Sequence, residues 1–88
     1  MSVELISENT KMCEVMTMVF QIVRSNSGIS RVAPDEDIFD AGVTSLMVLP
    51  ILLDMESQFN IVLDDKEFVQ MRTLRALAEL VVRTQAQL

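Results

Sequence analysis

The chain has 88 residues, 50% of them hydrophobic, with two glycines, two prolines and a formal charge of −6 from 13 acidic and 7 basic side chains. That describes one small domain with a single modest core and a negative surface that repels nucleic acid phosphates and anionic lipid. With no histidine and one cysteine, Cys13, the chain lacks the residues for an internal disulfide, a zinc site of the usual type or a serine–histidine–aspartate triad.

Residues 1–8 read as a loose segment or a first helical turn. From about Thr10 to Arg24, Met12, Val15, Met16, Val19, Phe20, Ile22 and Val23 recur at helical spacing, which predicts a first helix. Thr10 is its expected N-cap, with Ser7 and Asn9 as alternatives, and Ser25-Asn26-Ser27-Gly28 ends it. Cys13 falls at the edge of the apolar face, as a small buried or half-buried filler. Residues 26–44 form a long connection holding Pro34 and the acidic run Asp35-Glu36-Asp37. Ile29, Val32, Ile38 and Phe39 can pin it across the molecule, with a short helical turn near Asp35–Phe39. A calcium loop built on Asp35, Asp37 and Asp40 fails on spacing, because Phe39 and Ala41 fall at ligand positions and Leu46 replaces the closing glutamate.

A second helix is expected from Ser45 to Gln58, apolar almost all round in its first half. Val48, Leu52, Met55 and Phe59 make one stripe, expected to face the core. Leu46, Leu49 and Leu53 make another, expected to be exposed as a docking surface. Pro50 lies inside this pattern, removes the N–H that would reach the Leu46 carbonyl, and predicts a kink or a loosened first turn. Asp64 or Asp65 can cap a brief third helix, and Thr73 a last one buried through Leu74, Leu77, Leu80 and Val81, with Ala78 and Val82 at the margins and an Arg75–Glu79 pair on the polar face. The fold class is therefore all-α, a four-helix bundle in one domain over residues 1–88, with a long loop between helices one and two and a short third helix.

The segment Asp37-Ile38-Phe39-Asp40-Ala41-Gly42-Val43-Thr44-Ser45-Leu46 sets a glycine turn before a serine at a helix start, where a helix dipole favours an anion. With Met55-Glu56-x-x-Phe59, Leu63-Asp64 and Thr73-Leu74 in the same order, the chain resembles the acyl and peptidyl carrier proteins. The resemblance implies that the protein is not an enzyme. Ser45 would bear 4′-phosphopantetheine taken from coenzyme A, and the arm would hold an acyl or aminoacyl group as a thioester. It implies three partners: a phosphopantetheinyl transferase that works with magnesium, an acyl- or aminoacyl-loading ligase, and a downstream acyl-transfer enzyme. It places docking contacts on Leu46, Leu49, Leu53 and Glu56, beside Thr44. Thr44 stands where the family usually carries aspartate, and Met47, Pro50 and Ser57 stand where many fatty-acid carriers are acidic or polar. These departures point to a dedicated partner outside fatty-acid synthesis. The alternative from the residues alone is an unmodified helical adaptor gripping a partner through the same leucine stripe. A cytoplasmic location is expected, since Glu4 and Glu8 stand where a signal peptide would be basic, and a monomer is the expected state.

Overall fold

A computed structural model describes the backbone of residues 3–87 and the side chains of residues 11–87. Five helices follow in order: α1 (Val3–Ser27), α2 (Ile38–Ala41), α3 (Ser45–Phe59), α4 (Asp65–Phe68) and α5 (Leu74–Ala86). The described residues contain no strand. The bundle is therefore all-helical, as the periodicity predicts, with α2 as an extra single turn inside the long connection.

Helix α1 begins at Val3, not at Thr10, so Thr10 lies within the helix, and of the two readings for the first residues the helical one holds from residue 3. It ends at Ser27, where Gly28 takes φ 76° and donates its N–H to the Arg24 carbonyl at 2.8 Å. That left-handed conformation is one that glycine adopts without a Cβ penalty. Val15, Val19, Ile22 and Val23 are buried on one face of α1. Cys13 is exposed, contrary to its reading as filler, because it lies outside that buried face.

The core face of α3 is Ile51, Leu52, Met55 and Phe59, all buried, with Val48 half-buried at its edge. The expected stripe lacked Ile51. A globular helix buries a face about 100° wide, which takes in the residues three and four positions apart together. Helix α5 adds Leu74, Leu77, Ala78, Leu80 and Val81, so Ala78 is a core residue rather than a marginal one. Helix α3 runs without interruption through Pro50, which is exposed.

The long connection is held by its apolar members and by two arginines. Ile38 is buried, and Ile29, Val32 and Phe39 pack half-buried against the core. Arg72 Nε donates to Asp37 Oδ2 at 2.7 Å and its guanidinium lies 4.6 Å from the centre of the Phe39 ring. Arg75 binds Asp35 through two nitrogens at 2.7 and 3.3 Å. The Arg75 N–H also reaches the Pro34 carbonyl at 3.0 Å, and the Ile38 N–H the Arg72 carbonyl at 2.7 Å. Arg75 thus makes its direct ion pair with the connection, and the expected Glu79 adds a weaker Coulombic attraction.

Candidate functional site

The approach to Ser45 is set by α2 and the turn behind it. Asp37 caps α2, its Oδ1 accepting the Phe39 N–H at 2.8 Å. Gly42 closes the turn at φ 127°, a backbone conformation that disfavours any side chain. The next residue, Val43, is buried and its N–H reaches the Ile38 carbonyl at 3.0 Å. A buried Val43 anchors the strand-like step into α3, and the two residues after it turn outward. Thr44 and Ser45 are both exposed.

Thr44 is the N-cap residue, with extended backbone at φ −102° and ψ 164°. Its carbonyl accepts the Met47 N–H at 3.0 Å, and its own N–H points to Met47 Sδ at 3.5 Å. Thr44 and Met47 form a capping box, the Thr44 side chain toward the Met47 N–H and the Met47 side chain toward the Thr44 N–H, although the Thr44 hydroxyl makes no regular cap hydrogen bond. Ser45 occupies the first helical position, so its hydroxyl is not used as a cap, which is the ordinary employment of a serine at a helix start. An anion on that hydroxyl would meet the positive end of a 15-residue helix dipole. The exposed, unengaged hydroxyl and the open helix end fit a covalently attached phosphodiester.

Leu46, Leu49 and Leu53 are 87%, 60% and 54% exposed, so the second stripe of α3 faces solvent directly beyond Ser45. Glu56 differs from them. It is half-buried and its Oε2 accepts the Leu63 N–H at 2.9 Å, while its carbonyl accepts the Ile61 N–H at 3.1 Å. The other carboxylate of α3, Asp54, takes the Asn26 side-chain amide at 2.8 Å and ties α3 to the end of α1. Between those two helices lies a cleft lined by Met18, Gln21, Ile22, Ser25, Asp54 and Gln58.

The two carboxylates of the connection are held below their ordinary value of 3.8. For Asp35 the hydrogen bond from Arg75 is the main cause, and for Asp37 the hydrogen bond from Arg72, with the Phe39 and Asp40 N–H groups adding to it. The arginine partners of this acidic run lie far along the chain, and the sequence analysis does not find them. The available signal was a pair of arginines bracketing the Thr73 cap, opposite in charge to the run. Nothing in the local pattern marks Glu56 as a latch, because its acceptor site is used seven residues further along the chain.

The phosphopantetheine attachment site family matches residues 19–81, and the chain belongs to that family. It is a carrier protein with covalent 4′-phosphopantetheine as its prosthetic group, and it is not an enzyme. This sets aside the unmodified adaptor. In fold it is similar to BlmI, a type-II acyl-carrier-protein from Streptomyces verticillus involved in bleomycin biosynthesis. The TM-score is 0.82 at 22% identity, covering 90% of this chain and 95% of that one. Comparison with curated protein sequences gives no match. Among the described residues no helix is long and apolar enough to cross a membrane.

Proposed function

We propose that this protein holds an acyl or aminoacyl group as a thioester on an arm attached to Ser45. In this reading it receives that group from a loading ligase and delivers it to a downstream acyl-transfer enzyme in the cytoplasm. The observation that carries the assignment is the exposed Ser45 hydroxyl at the first position of α3, free of capping duty and inside the matched region. In the attachment step the Ser45 Oγ attacks the pantetheine-side phosphorus of coenzyme A. The pyrophosphate P–O bond breaks, adenosine 3′,5′-bisphosphate leaves, and the serine proton passes to a base on the transferase. The attached arm supplies the thiol on which cargo is carried. The α3 N-terminus offers the phosphodiester a favourable field, and Leu46, Leu49 and Leu53 give visiting enzymes an apolar grip beside Thr44.

The scarcity of free carboxylates on α3 supports partners other than those of fatty-acid synthesis, and a role in secondary metabolism like that named for BlmI is the reading we favour. Co-expression with several phosphopantetheinyl transferases, followed by intact-mass measurement, tests the assignment. One phosphopantetheine addition is expected on the wild-type chain and none on Ser45→Ala. Persistence of the addition in Ser45→Ala would refute the site.

A further inference from the structure

Helix α2 is a single turn of four residues, too short to hold its own place. Its position comes from what grips it, and Arg72 grips its start at three points. Arg72 Nε donates to Asp37 Oδ2 at 2.7 Å, the Arg72 carbonyl accepts the Ile38 N–H at 2.7 Å, and the guanidinium lies 4.6 Å from the centre of the Phe39 ring. Those same residues hold the turn that follows. The Asp37 carbonyl accepts the Ala41 N–H at 3.1 Å, the Phe39 carbonyl the Gly42 N–H at 3.2 Å, and the Ile38 carbonyl the Val43 N–H at 3.0 Å. Val43 is the buried anchor two residues before Ser45. Ile38 therefore uses its N–H on Arg72 and its carbonyl on Val43. A hydrogen-bonded relay runs from Arg72, beside the α5 cap Thr73, to the residue from which Thr44 and Ser45 turn outward. Arg75 makes a comparable pair with Asp35 at 2.7 Å, but its contacts with the connection end on Pro34 and Asp35, ahead of α2.

We infer that Arg72 is a positioning residue for the modification of Ser45: by fixing the start of α2 it holds the 42–44 turn, and with it the serine hydroxyl, in the arrangement that reacts. The inference rests on the attachment of the arm at Ser45. Arg72 acts through α2 and not on the hydroxyl itself. The Arg72 and Asp37 side chains are 53% and 28% exposed, and a pair so open to water contributes little to global stability. Its effect is local. Releasing α2 leaves the core of α1, α3 and α5 in place and lets the serine stray, and a displacement of about 1 Å at a reacting group can slow a reaction by up to about a hundred-fold.

The test is single-turnover modification of the full chain by an excess of a broad-specificity transferase, at saturating coenzyme A and magnesium, alongside amide hydrogen exchange of the unmodified protein. Arg72→Gln should lower the saturating rate about five-fold or more, with the half-saturating transferase concentration within about two-fold and the melting temperature within about 3 °C of wild type. Its Val43 amide should exchange about ten-fold faster, with the Val19 amide of the core unchanged. Arg75→Gln, which loses a surface ion pair outside the relay, should change the rate by less than about two-fold. Asp37→Asn keeps the cap acceptor for the Phe39 N–H and loses the charge, so adding it to Arg72→Gln should slow modification by less than about two-fold more. Equal losses of rate in Arg72→Gln and Arg75→Gln, or an unchanged Val43 exchange, overturn the inference in favour of a purely structural pair. A raised half-saturating concentration at an unchanged rate overturns it in favour of direct contact between Arg72 and the transferase. If several transferases leave the wild-type chain without a mass increment, the Ser45 reading itself fails and the positioning role with it. Normal modification of wild type with an unchanged rate in Arg72→Gln defeats the positioning role alone.

Discussion

Thr44 and Ser45 both carry exposed hydroxyls, and the helix uses them differently. Thr44 is the N-cap, in a capping box with Met47, and Ser45 begins the helix. Thr44→Asp should keep a side-chain acceptor at the cap and add a favourable charge, stabilising the protein by about 0.5 kcal/mol. That corresponds to a rise in melting temperature of about 2–4 °C. The same variant should be modified faster by a broad-specificity transferase if the missing carboxylate is what makes the site selective. Further back, Asp37 caps α2 and grips Arg72. A carboxyl whose folded pKa lies below its unfolded value stabilises the fold at any pH above that unfolded value. The contribution disappears as pH falls through 3.8 and then through the lower folded value. Melting curves from pH 6 to pH 2 should thus show Asp37→Asn less stable than wild type near pH 6, with the gap closing below about pH 4. A gap that stays constant with pH would assign the effect to packing and not to the ion pair. These residue-scale pairings were the least legible part of the sequence. Asp35 and Asp37 find partners 40 and 35 positions away, and no local pattern carries that distance.

At the scale of the element, α3 carries both a core face and the exposed leucine stripe proposed for docking on one apolar helix. Periodicity separated the two: the stripe of Leu46, Leu49 and Leu53 is the exposed one, and Leu52, Met55 and Phe59 are buried. Only the width of the buried face escaped, because Ile51 belongs to neither strict stripe. Leu49→Asp and Leu53→Asp should leave helicity nearly intact by circular dichroism while raising the KM for modification. Loss of the folded state would instead make the stripe part of the core. Pro50 is a separate test. It removes a backbone donor in mid-helix, at a cost of up to about 3 kcal/mol relative to alanine. Pro50→Ala should raise stability by about 1–3 kcal/mol in urea denaturation. No change would mean that the first turn has already relaxed around the ring. The short α2 was visible only as a helical turn about three residues too early. A four-residue helix leaves no period to read, and its place is fixed by the Asp37 cap and the Gly42 turn.

For the whole molecule, the core is built from α1, α3 and α5, and Val19, Met55 and Leu77 are fully buried at its centre. Leu77→Ala should cost about 2–5 kcal/mol, a large share of the roughly 4–13 kcal/mol open to a domain of this size. Thermal denaturation should show a correspondingly lower midpoint. The helical order, the caps at Asp64 and Thr73 and the position of Ser45 were legible because each rests on a few neighbouring residues. The early start of α1 was not. Its first turns carry Glu4, Glu8 and Asn9 among few apolar residues, so the amphipathic signal begins only near Thr10. In the function proposed, this bundle serves to present one serine hydroxyl. Fragment-ion mass spectrometry of the protein purified from its native source tests it most directly. A phosphopantetheine mass localised to Ser45 is expected. An unmodified Ser45, or a phosphopantetheine localised to another residue, would contradict that function.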